Sequence, residues 1–306
     1  MKLAVIGSSN VDLTSYIDRM PVWGETLEAS AFSLGHGGKG ANQAVAAARY
    51  GADVWMVTKV GDDIFAEATI ENFKAQGIHA DYVRKVKGES SGVAPIFVDK
   101  EGHNSILIIK GANNRLAPAD IDEAARDIQN ADLLILQLEI SLTTVYYAVS
   151  FGKKYGIPVL LNPAPATKDL DLNKVRDVTF FMPNETELQI LTGMPVHTVP
   201  EAEAAAKSLV AKGIQNVIVT LGEKGALWIA DGVRELVPPQ KVQAVDTSGA
   251  GDAFIGCFAA SWSKRHDVKA AMQEASCYAA LSVMRRGTQK SYPTKAALMA
   301  FVEGKE

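Results

Sequence analysis

Residues 241–258 read KVQAVDTSGAGDAFIGCF, and the rest of the fold is predicted to be arranged around this stretch. An apolar run at 242–245 predicts a short strand, the small residues after it predict a turn, and the apolar residues that follow predict a helix. Gly249 and Gly251 lack a Cβ, so the backbone can adopt a positive φ there and a ligand can approach the N–H groups closely. The start of such a helix attracts phosphate or a developing negative charge.

Asp252 falls in the first turn of the predicted helix, where a carboxylate could deprotonate a hydroxyl beside a phosphoryl group. The N–H groups of Gly249, Ala250 and Gly251 would stabilise the charge on that group. The alternative is structural: Asp252 is then only a charge at a helix start, and Asp246 is only a turn residue. A GxGD string by itself does not choose between them.

Further motifs bear on that choice. The string DTSGAGDAF at 246–254, with GGKGANQA at 37–44, NPAPA at 162–166 and PNETE at 183–187, resembles the ribokinase family of sugar kinases. The motifs occur in the family's order between residues 6 and 293, which is more specific than any one of them. The resemblance implies ATP-dependent phosphorylation of a carbohydrate hydroxyl, with Mg²⁺ and an activating K⁺ as cofactors.

Composition is typical of a globular protein rather than of a nucleic-acid-binding or membrane protein. The chain has 306 residues, is 47% hydrophobic and 22% charged, and carries a formal net charge of -4. It can bury a substantial core, and it lacks the basic footprint of nucleic-acid binding. No apolar run approaches the roughly 18 residues that span a bilayer, and the N-terminal run is too short for a signal peptide. Cys257 and Cys277 lack metal-ligand spacing, which predicts a cytoplasmic protein.

The order of apolar runs predicts an α/β fold. A first strand at 3–7 and the regular alternation after residue 52 are typical of a doubly wound, mostly parallel sheet with helices on both faces. Residues 1–306 are predicted to form one domain. Segments 11–37 and 90–112 lie outside the alternation and predict a small β-sheet lid, whose second segment turns at KEGH. Its apolar face would need a partner sheet, which predicts a homodimer through the lid. The candidate face residues are Ile96, Val98, Ile106 and Ile108.

Asn10 and Asp12 follow the first strand at alternate positions, so in an extended chain they face the same side. Turn chemistry after a strand is the alternative. The resemblance implies instead that they bind sugar hydroxyls, with Asp12 accepting two hydrogen bonds from a vicinal diol. It also implies that Gly38, Lys39 and Asn42 lie at the sugar, together with Asp252.

Gly35, Gly37 and Gly40 satisfy GxGxxG, which could indicate a dinucleotide site. That fingerprint should follow the first strand directly, and here it does not, so an NAD enzyme is disfavoured. The glycines better fit a flexible entry to a helix that begins near Ala41.

Polar residues stand where the later apolar runs stop, and ligands of open α/β sheets gather at the carboxyl ends of strands. Glu139 is either a cap for a helix starting at Ser141 or, as the resemblance implies, a sugar ligand. The resemblance places nucleotide phosphates and ribose at a group of residues on this edge. They are Asn184, Thr220, Gly222, Gly225, Gly249 and Gly251.

Asn184 and Glu187 have the spacing of a capping box at a helix start. The resemblance implies that they also organise water around Mg²⁺, which keeps much of its hydration shell. A monovalent-cation site is implied by resemblance alone. Its residues would be Asp246, Ser248, Arg285, Gly287 and Ser291.

The identity of the sugar rests on two opposed observations. GVAPIFV, NSILIIKGAN and TLGEKGALW resemble deoxyribokinases at least as closely as ribokinases. Ribokinases carry Asn at the position of Asn10, whereas at least some deoxyribokinases carry an apolar residue. We therefore expect D-ribose to be converted to D-ribose 5-phosphate, with 2-deoxy-D-ribose kinase or another carbohydrate or nucleoside kinase as alternatives. A sensor that kept the fold without catalysis is the alternative from another class.

Overall fold

A computed structural model describes residues 1–101 and 103–304. Gly102, which belongs to the predicted lid turn, and residues 305 and 306, the end of the predicted domain, lie outside the described residues. Within the described ranges, none of the helices has the length and apolar character needed to cross a membrane.

The described strands form a large and a small sheet. In chain order they are β1 (Lys2–Ile6), β2 (Asn10–Tyr16), β3 (Ala31–Gly37), β4 (Asp53–Val60), β5 (His79–Lys85), β6 (Gly92–Val98), β7 (Asn104–Ile106), β8 (Leu133–Leu136), β9 (Val159–Leu161), β10 (Phe180–Phe181), β11 (Asn216–Thr220), β12 (Ala226–Ala230) and β13 (Val233–Val237). The nine-stranded sheet has the order β13-β12-β11-β10-β9-β8-β1-β4-β5, and only its β11-β12-β13 edge is antiparallel.

Helices connect and cover these strands. They are α1 (Lys39–Tyr50), α2 (Ala66–Ala75), α3 (Pro118–Ile128), α4 (Leu142–Tyr155), α5 (Leu172–Val175), α6 (Glu185–Thr192), α7 (Val199–Ala211), α8 (Ala250–Arg265), α9 (Val268–Val283) and α10 (Lys295–Val302). Short 3-10 turns occupy Gly111–Arg115, Gly222–Lys224 and Gln289–Ser291. Helix α1 thus begins before the predicted start near Ala41.

The large sheet is buried on both faces. Along β1, Leu3 and Val5 belong to one apolar cluster with α1, α8 and α9, whereas Ala4 and Ile6 belong to another with α3, α4 and α7. Successive side chains of a strand point to opposite faces, so two helical layers enclose the sheet. This confirms the predicted doubly wound α/β fold with helices on both faces.

The small sheet has the order β3-β2-β6-β7 and contains the predicted lid segments. Strand β2 pairs antiparallel with β3 and parallel with β6, so Asn10 lies opposite Gly37 on one side and Gly92 on the other. Of the predicted face residues, Ile106 and Ile108 are exposed and Ile96 and Val98 are half-buried. Other large apolar side chains exposed on this sheet and its loops are Met20, Val22, Trp23, Phe32, Leu34, Leu107 and Ile109.

The predicted strand at 242–245 is wrong. The segment is irregular and mostly exposed, and the N–H groups of Val245 and Asp246 donate to the Val283 carbonyl instead of to a neighbouring strand. Strand β13 is the edge of the sheet, and Pro238 and Pro239 follow it. Since proline has no N–H to donate, the chain leaves the sheet there.

Candidate active site

The turn before α8 has the predicted positive φ at Gly249 but not at Gly251, which lies within the helix. Gly249 has a φ of 74° and is the N-cap of the helix. A Cβ on Gly249 would lie 2.3 Å from Thr288 Cγ2 and 2.7 Å from the Tyr292 hydroxyl oxygen. That hydroxyl donates to the Gly249 carbonyl at 3.0 Å. The segment near the C-terminus therefore supports the turn, and no larger residue fits at 249.

Asp252 lies in the first turn of α8 and is 7% exposed. Its Oδ2 accepts from Asn42 Nδ2 and its Oδ1 accepts from Gln43 Nε2, each at 2.9 Å. Asp252 also lines a cavity of about 180 Å³ with Lys39 and Gly249. A helix-terminal charge needs none of these contacts, so the structural alternative does not account for the site.

Acidic groups surround the buried ammonium of Lys39. Burial opposes protonation, yet the charges of Asp252, Glu139 and Glu187 raise the pKa of Lys39 above its usual value. Burial, followed by the charges of Glu139 and Asp252, raises the pKa of Asp12 to about 7. The cluster thus combines carboxylates that can accept hydrogen bonds from hydroxyl groups with one cation that holds them together.

Asn10 and Asp12 are strand residues of β2, so the turn alternative is wrong for both. Asn10 is 4% exposed, and its Oδ1 accepts from Asn113 Nδ2 at 2.7 Å. The Asp12 carboxylate packs on Gly37, where a Cβ would lie 2.1 Å from Oδ1. Gly38, with a φ of 87°, is equally confined, because a Cβ there would lie 2.6 Å from the Asn10 nitrogen.

Glu139 does not cap α4, the helix that follows it. Its Oε2 accepts from Ser8 Oγ at 2.5 Å and from the Lys39 N–H at 2.9 Å. The cap of α4 is Ser141, whose side chain accepts from the Thr144 N–H. Glu139 therefore fixes the start of α1 beside the cavity, and the cap alternative is wrong.

Comparison with known proteins agrees with this geometry. The family model described as pfkB family carbohydrate kinase matches residues 1–295. The chain belongs to the pfkB family of carbohydrate kinases. It is 60% identical over 294 residues to the deoxyribokinase of Salmonella typhimurium, which covers 96% of both chains. It is 40% identical over 293 residues to the ribokinase of Bacillus subtilis, with 96% of both chains covered.

A solved structure shows the same fold. The ribokinase of Arabidopsis thaliana complexed with ribose and ATP superposes with a TM-score of 0.91 at 32% identity, covering 98% of both chains. The resemblance to the ribokinase family is thus confirmed, and the chain is a carbohydrate kinase.

The described contacts join some of the residues that were predicted to bind the nucleotide. Thr220 forms a β-bridge with Asn184, and both line the cavity with Gly251. Gly222 and Gly225 lie in the turn after β11 and outside that lining. A Cβ on Gly225 would lie 2.1 Å from the Val237 carbonyl oxygen, so packing against β13 accounts for this glycine.

Asn184 and Glu187 form the capping box of α6. The Glu187 N–H donates to Asn184 Oδ1 at 2.8 Å, and the Asn184 N–H donates to Glu187 Oε2 at 2.9 Å. Burial raises the pKa of Glu187, which is 8% exposed at the cavity wall. The capping alternative is confirmed, and this pair also places a carboxylate and an amide where outer-sphere ligands of Mg²⁺ would fit.

The predicted monovalent-cation residues are only partly joined. Asp246 Oδ1 accepts from the Ser248 N–H at 2.9 Å and Oδ2 accepts from the Gly287 N–H at 2.8 Å. The Ser291 hydroxyl donates to the Thr288 carbonyl, and Arg285 is exposed. Burial opposes ionisation, yet these backbone donors lower the pKa of Asp246, so a carboxylate is available beside the turn.

Gln43 and Asn113 were missed as site residues. Gln43 donates to Asp252, and Asn113 holds the backbone of Ser9 as well as Asn10. Gln43 stands next to Asn42 within GGKGANQA, so that motif could have indicated it. Asn113 lies in a 3-10 turn about a hundred residues from Asn10, and no local signal marks it.

Proposed function

We propose that this kinase transfers the γ-phosphoryl group of Mg·ATP to the primary hydroxyl of a pentose. The observation that carries the proposal is the position of the Asp252 carboxylate beside the N–H groups of the Gly249 turn, in one cavity. A base and an anion-binding helix start are the two elements that phosphoryl transfer to an alcohol requires.

In this proposal, Asp252 accepts the proton of the sugar hydroxyl as the oxygen attacks phosphorus. The N–H groups of Gly249, Ala250 and Gly251 stabilise the charge on the transferred group, because the start of α8 is the positive end of its dipole. Little other chemistry is asked of the protein, which mainly positions the two substrates.

The sugar would lie where the small sheet joins the large one. Asn10 and Asp12 come from β2, Lys39 and Asn42 from α1, and Glu139 from the loop after β8. Gly38 allows the chain to pass close to β2, since a side chain there would meet Asn10. Their carboxylate, amide and ammonium groups match the hydroxyl groups of a pentose.

Mg²⁺ would arrive on the nucleotide phosphates and supply charge neutralisation there. Asn184 and Glu187 would hold its water shell. K⁺ would be held near Asp246 and Ser248, with Gly287 closing the loop from the other side. Both ions are proposed on the chemistry of these donors.

Two pentoses have specific support. The 60% identity to a deoxyribokinase favours 2-deoxy-D-ribose. The buried amide of Asn10 favours D-ribose, because a site built to hydrogen-bond a hydroxyl disfavours a sugar that lacks it. We propose D-ribose as the preferred sugar and 2-deoxy-D-ribose as the second candidate.

We further propose a homodimer that pairs the exposed apolar face of the small sheet with that of a second copy. A patch such as that around Ile106 and Ile108 seldom stays bare. A cytoplasmic location is proposed from the free thiols of Cys257 and Cys277.

The test is ADP release in a coupled assay with ATP, Mg²⁺ and K⁺ against a panel of pentoses, hexoses and nucleosides. Turnover should be highest with D-ribose, followed by 2-deoxy-D-ribose. Sugar binding without ADP release would instead indicate a sensor, and a preference for hexoses or nucleosides would reject the pentose site.

A further inference from the structure

Gln43 of α1 is fully buried, and the reaction proposed above gives it no role. Its Nε2 donates to Asp252 Oδ1 at 2.9 Å and to Asn162 Oδ1 at 3.2 Å. Its Oε1 accepts from Gln137 Nε2 at 2.7 Å. Both Nε2 hydrogens are therefore used within the protein, and Gln43 acts on the base rather than on a substrate.

The orientation of the Gln43 amide is determined from both ends. An ionised carboxylate only accepts hydrogen bonds, so Asp252 requires Nε2 to face it. Gln43 Oε1 then faces a donor, Gln137 Nε2. A reversed amide would instead place Gln43 Oε1 against Asp252 Oδ1, and two acceptors would meet. Gln137 packs closely on Gly7, where a Cβ would lie 1.9 Å from Gln137 Oε1, and that oxygen has no hydrogen-bond partner among the described residues.

Close packing of α1 on α8 brings this amide to the base. A Cβ on Gly256 would lie 2.5 Å from the Gln43 carbonyl oxygen and 2.6 Å from Ala46 Cβ. Gly256 lies one turn after Asp252, so this close contact between the two helices is one turn from the carboxylate. A side chain longer or shorter than that of Gln43 would not place an amide between Asp252 and Gln137.

We infer that Gln43 is a positioning residue for the phosphoryl transfer. It holds Asp252 Oδ1 while Asn42 holds Oδ2, so that the remaining lone pairs of the carboxylate face the cavity. A neutral amide orients the base without forming an ion pair with it. The inference rests on the proposed function, in which Asp252 is the base.

The test compares Gln43→Met, which keeps the length and removes the hydrogen bonds, with Gln43→Glu, which keeps the shape. We expect kcat of the Met variant to fall by about 10- to 100-fold, with little change in the Kd for the sugar. A lost donor no longer stabilises the ionised carboxylate, so the acid limb of the kcat profile moves to higher pH. In Gln43→Glu it moves further, because two carboxyl groups then share one proton.

The matched control is Gln76→Met. The Gln76 amide accepts from Arg49 Nε at 2.9 Å outside the cavity, so kcat and the acid limb should stay at wild-type values. The inference is overturned if Gln43→Met lowers the melting temperature but leaves kcat and the acid limb of its pH profile unchanged. It is also overturned if the melting temperature, kcat and the acid limb all stay at wild-type values. If the Met variant does not fold, the limb of Gln43→Glu decides alone. Asp252→Asn is measured in parallel. Full activity of Asp252→Asn overturns the proposed base itself. Loss of activity in Asp252→Asn together with wild-type activity in Gln43→Met overturns only the role of Gln43.

Discussion

The two sheets of this kinase differ in how much of each strand is buried. All residues of β8 in the large sheet are buried, whereas all residues of β7 in the small sheet are exposed. Strand β2 shows the change within one element: Asn10 and Val11 are buried, and the residues beyond them are half-exposed. Asn10 and Asp12, the residues of β2 that we propose to bind the sugar, thus lie at the end that joins the large sheet.

This difference separates three kinds of effect. Buried side chains beside the large sheet, such as Asp252 of α8, which Asn42 and Gln43 of α1 hold by hydrogen bonds, should control turnover. Residues at the junction, such as Asn10 and Asp12, should control recognition of the sugar. Exposed apolar residues of the small sheet that lie away from the cavity, such as Ile108, should control assembly.

The largest effect is expected at the buried edge. Asp252→Asn should leave sugar binding largely intact and lower kcat by about 10²- to 10⁴-fold, because the amide cannot accept the proton. Initial rates and calorimetric sugar titration measure the two quantities. Asp267→Asn is the control, since Asp267 caps α9 outside the cavity and Asn caps equally well. Turnover above about one tenth of the wild-type value would remove Asp252 from its role.

The elements of the large sheet could be predicted because their signals are local. Apolar runs and helical periodicity located its strands and helices, and the spacing of Asn184 and Glu187 indicated a capping box that the structure contains. The sequence alone could not exclude a strand at 242–245, because the pattern there is apolar. In the described part of the chain, this segment pairs with no neighbouring strand. Whether a run forms a strand depends on its partner, which composition does not show.

The site was less predictable than the fold, since its hydrogen bonds join distant residues. Asn42 and Asp252 are 210 positions apart, and Asn10 and Asn113 are 103 apart. Residues named through the resemblance were found at the cavity, including Lys39, Asn184 and Thr220. Gln43 and Asn113, which hold other side chains, were missed because the local sequence does not distinguish a buried amide from an exposed polar residue.

At the junction, Asn10→Met should change the choice of sugar. A buried amide that loses its hydroxyl partner costs about 1 to 3 kcal/mol, so wild-type kcat/KM should favour D-ribose over 2-deoxy-D-ribose by roughly tenfold or more. The substitution should narrow or reverse that ratio. Asn104→Met, on the exposed strand β7, should leave it unchanged. A wild type that prefers the deoxy sugar would identify a deoxyribokinase despite Asn10.

The second junction residue predicts a pH dependence. The pKa of Asp12 is raised to about 7 by burial and by Glu139 and Asp252, so the carboxyl protonates as pH falls through that value. A protonated carboxyl accepts weaker hydrogen bonds from a diol than the ionised form does, because it has lost its charge and one of its oxygens has become a donor. The Kd for the sugar should therefore be constant above about pH 7 and rise by up to about tenfold per pH unit below it. Asp12→Asn should bind weakly with a flatter profile, and a wild-type Kd that is flat down to about pH 5.5 would contradict the prediction.

A smaller effect is expected from the cation. Rates should be higher in K⁺ than in Na⁺ at equal ionic strength, because an ion at Asp246 would hold the loop that continues into Gly249. Asp246→Asn should reduce the difference between the two salts. The control is choline chloride. If K⁺ is bound specifically, the rate in choline chloride should equal the rate in Na⁺. Equal rates in K⁺ and Na⁺ would reject the site.

Exposed apolar residues of the small sheet should affect turnover least. Ile108 is 45% exposed on the apolar face, and Ile108→Lys would place a charge where two copies are proposed to meet. A buried unpaired charge is strongly unfavourable, so sedimentation analysis should show a dimer for the wild type and a monomer for the variant. Ile64→Lys is the matched control, since Ile64 is 87% exposed outside the small sheet and its substitution should preserve the dimer. Because Ile108 does not line the cavity, kcat should stay near the wild-type value. A wild type that sediments as a monomer, or a variant that remains a dimer, would show that this face does not join two copies.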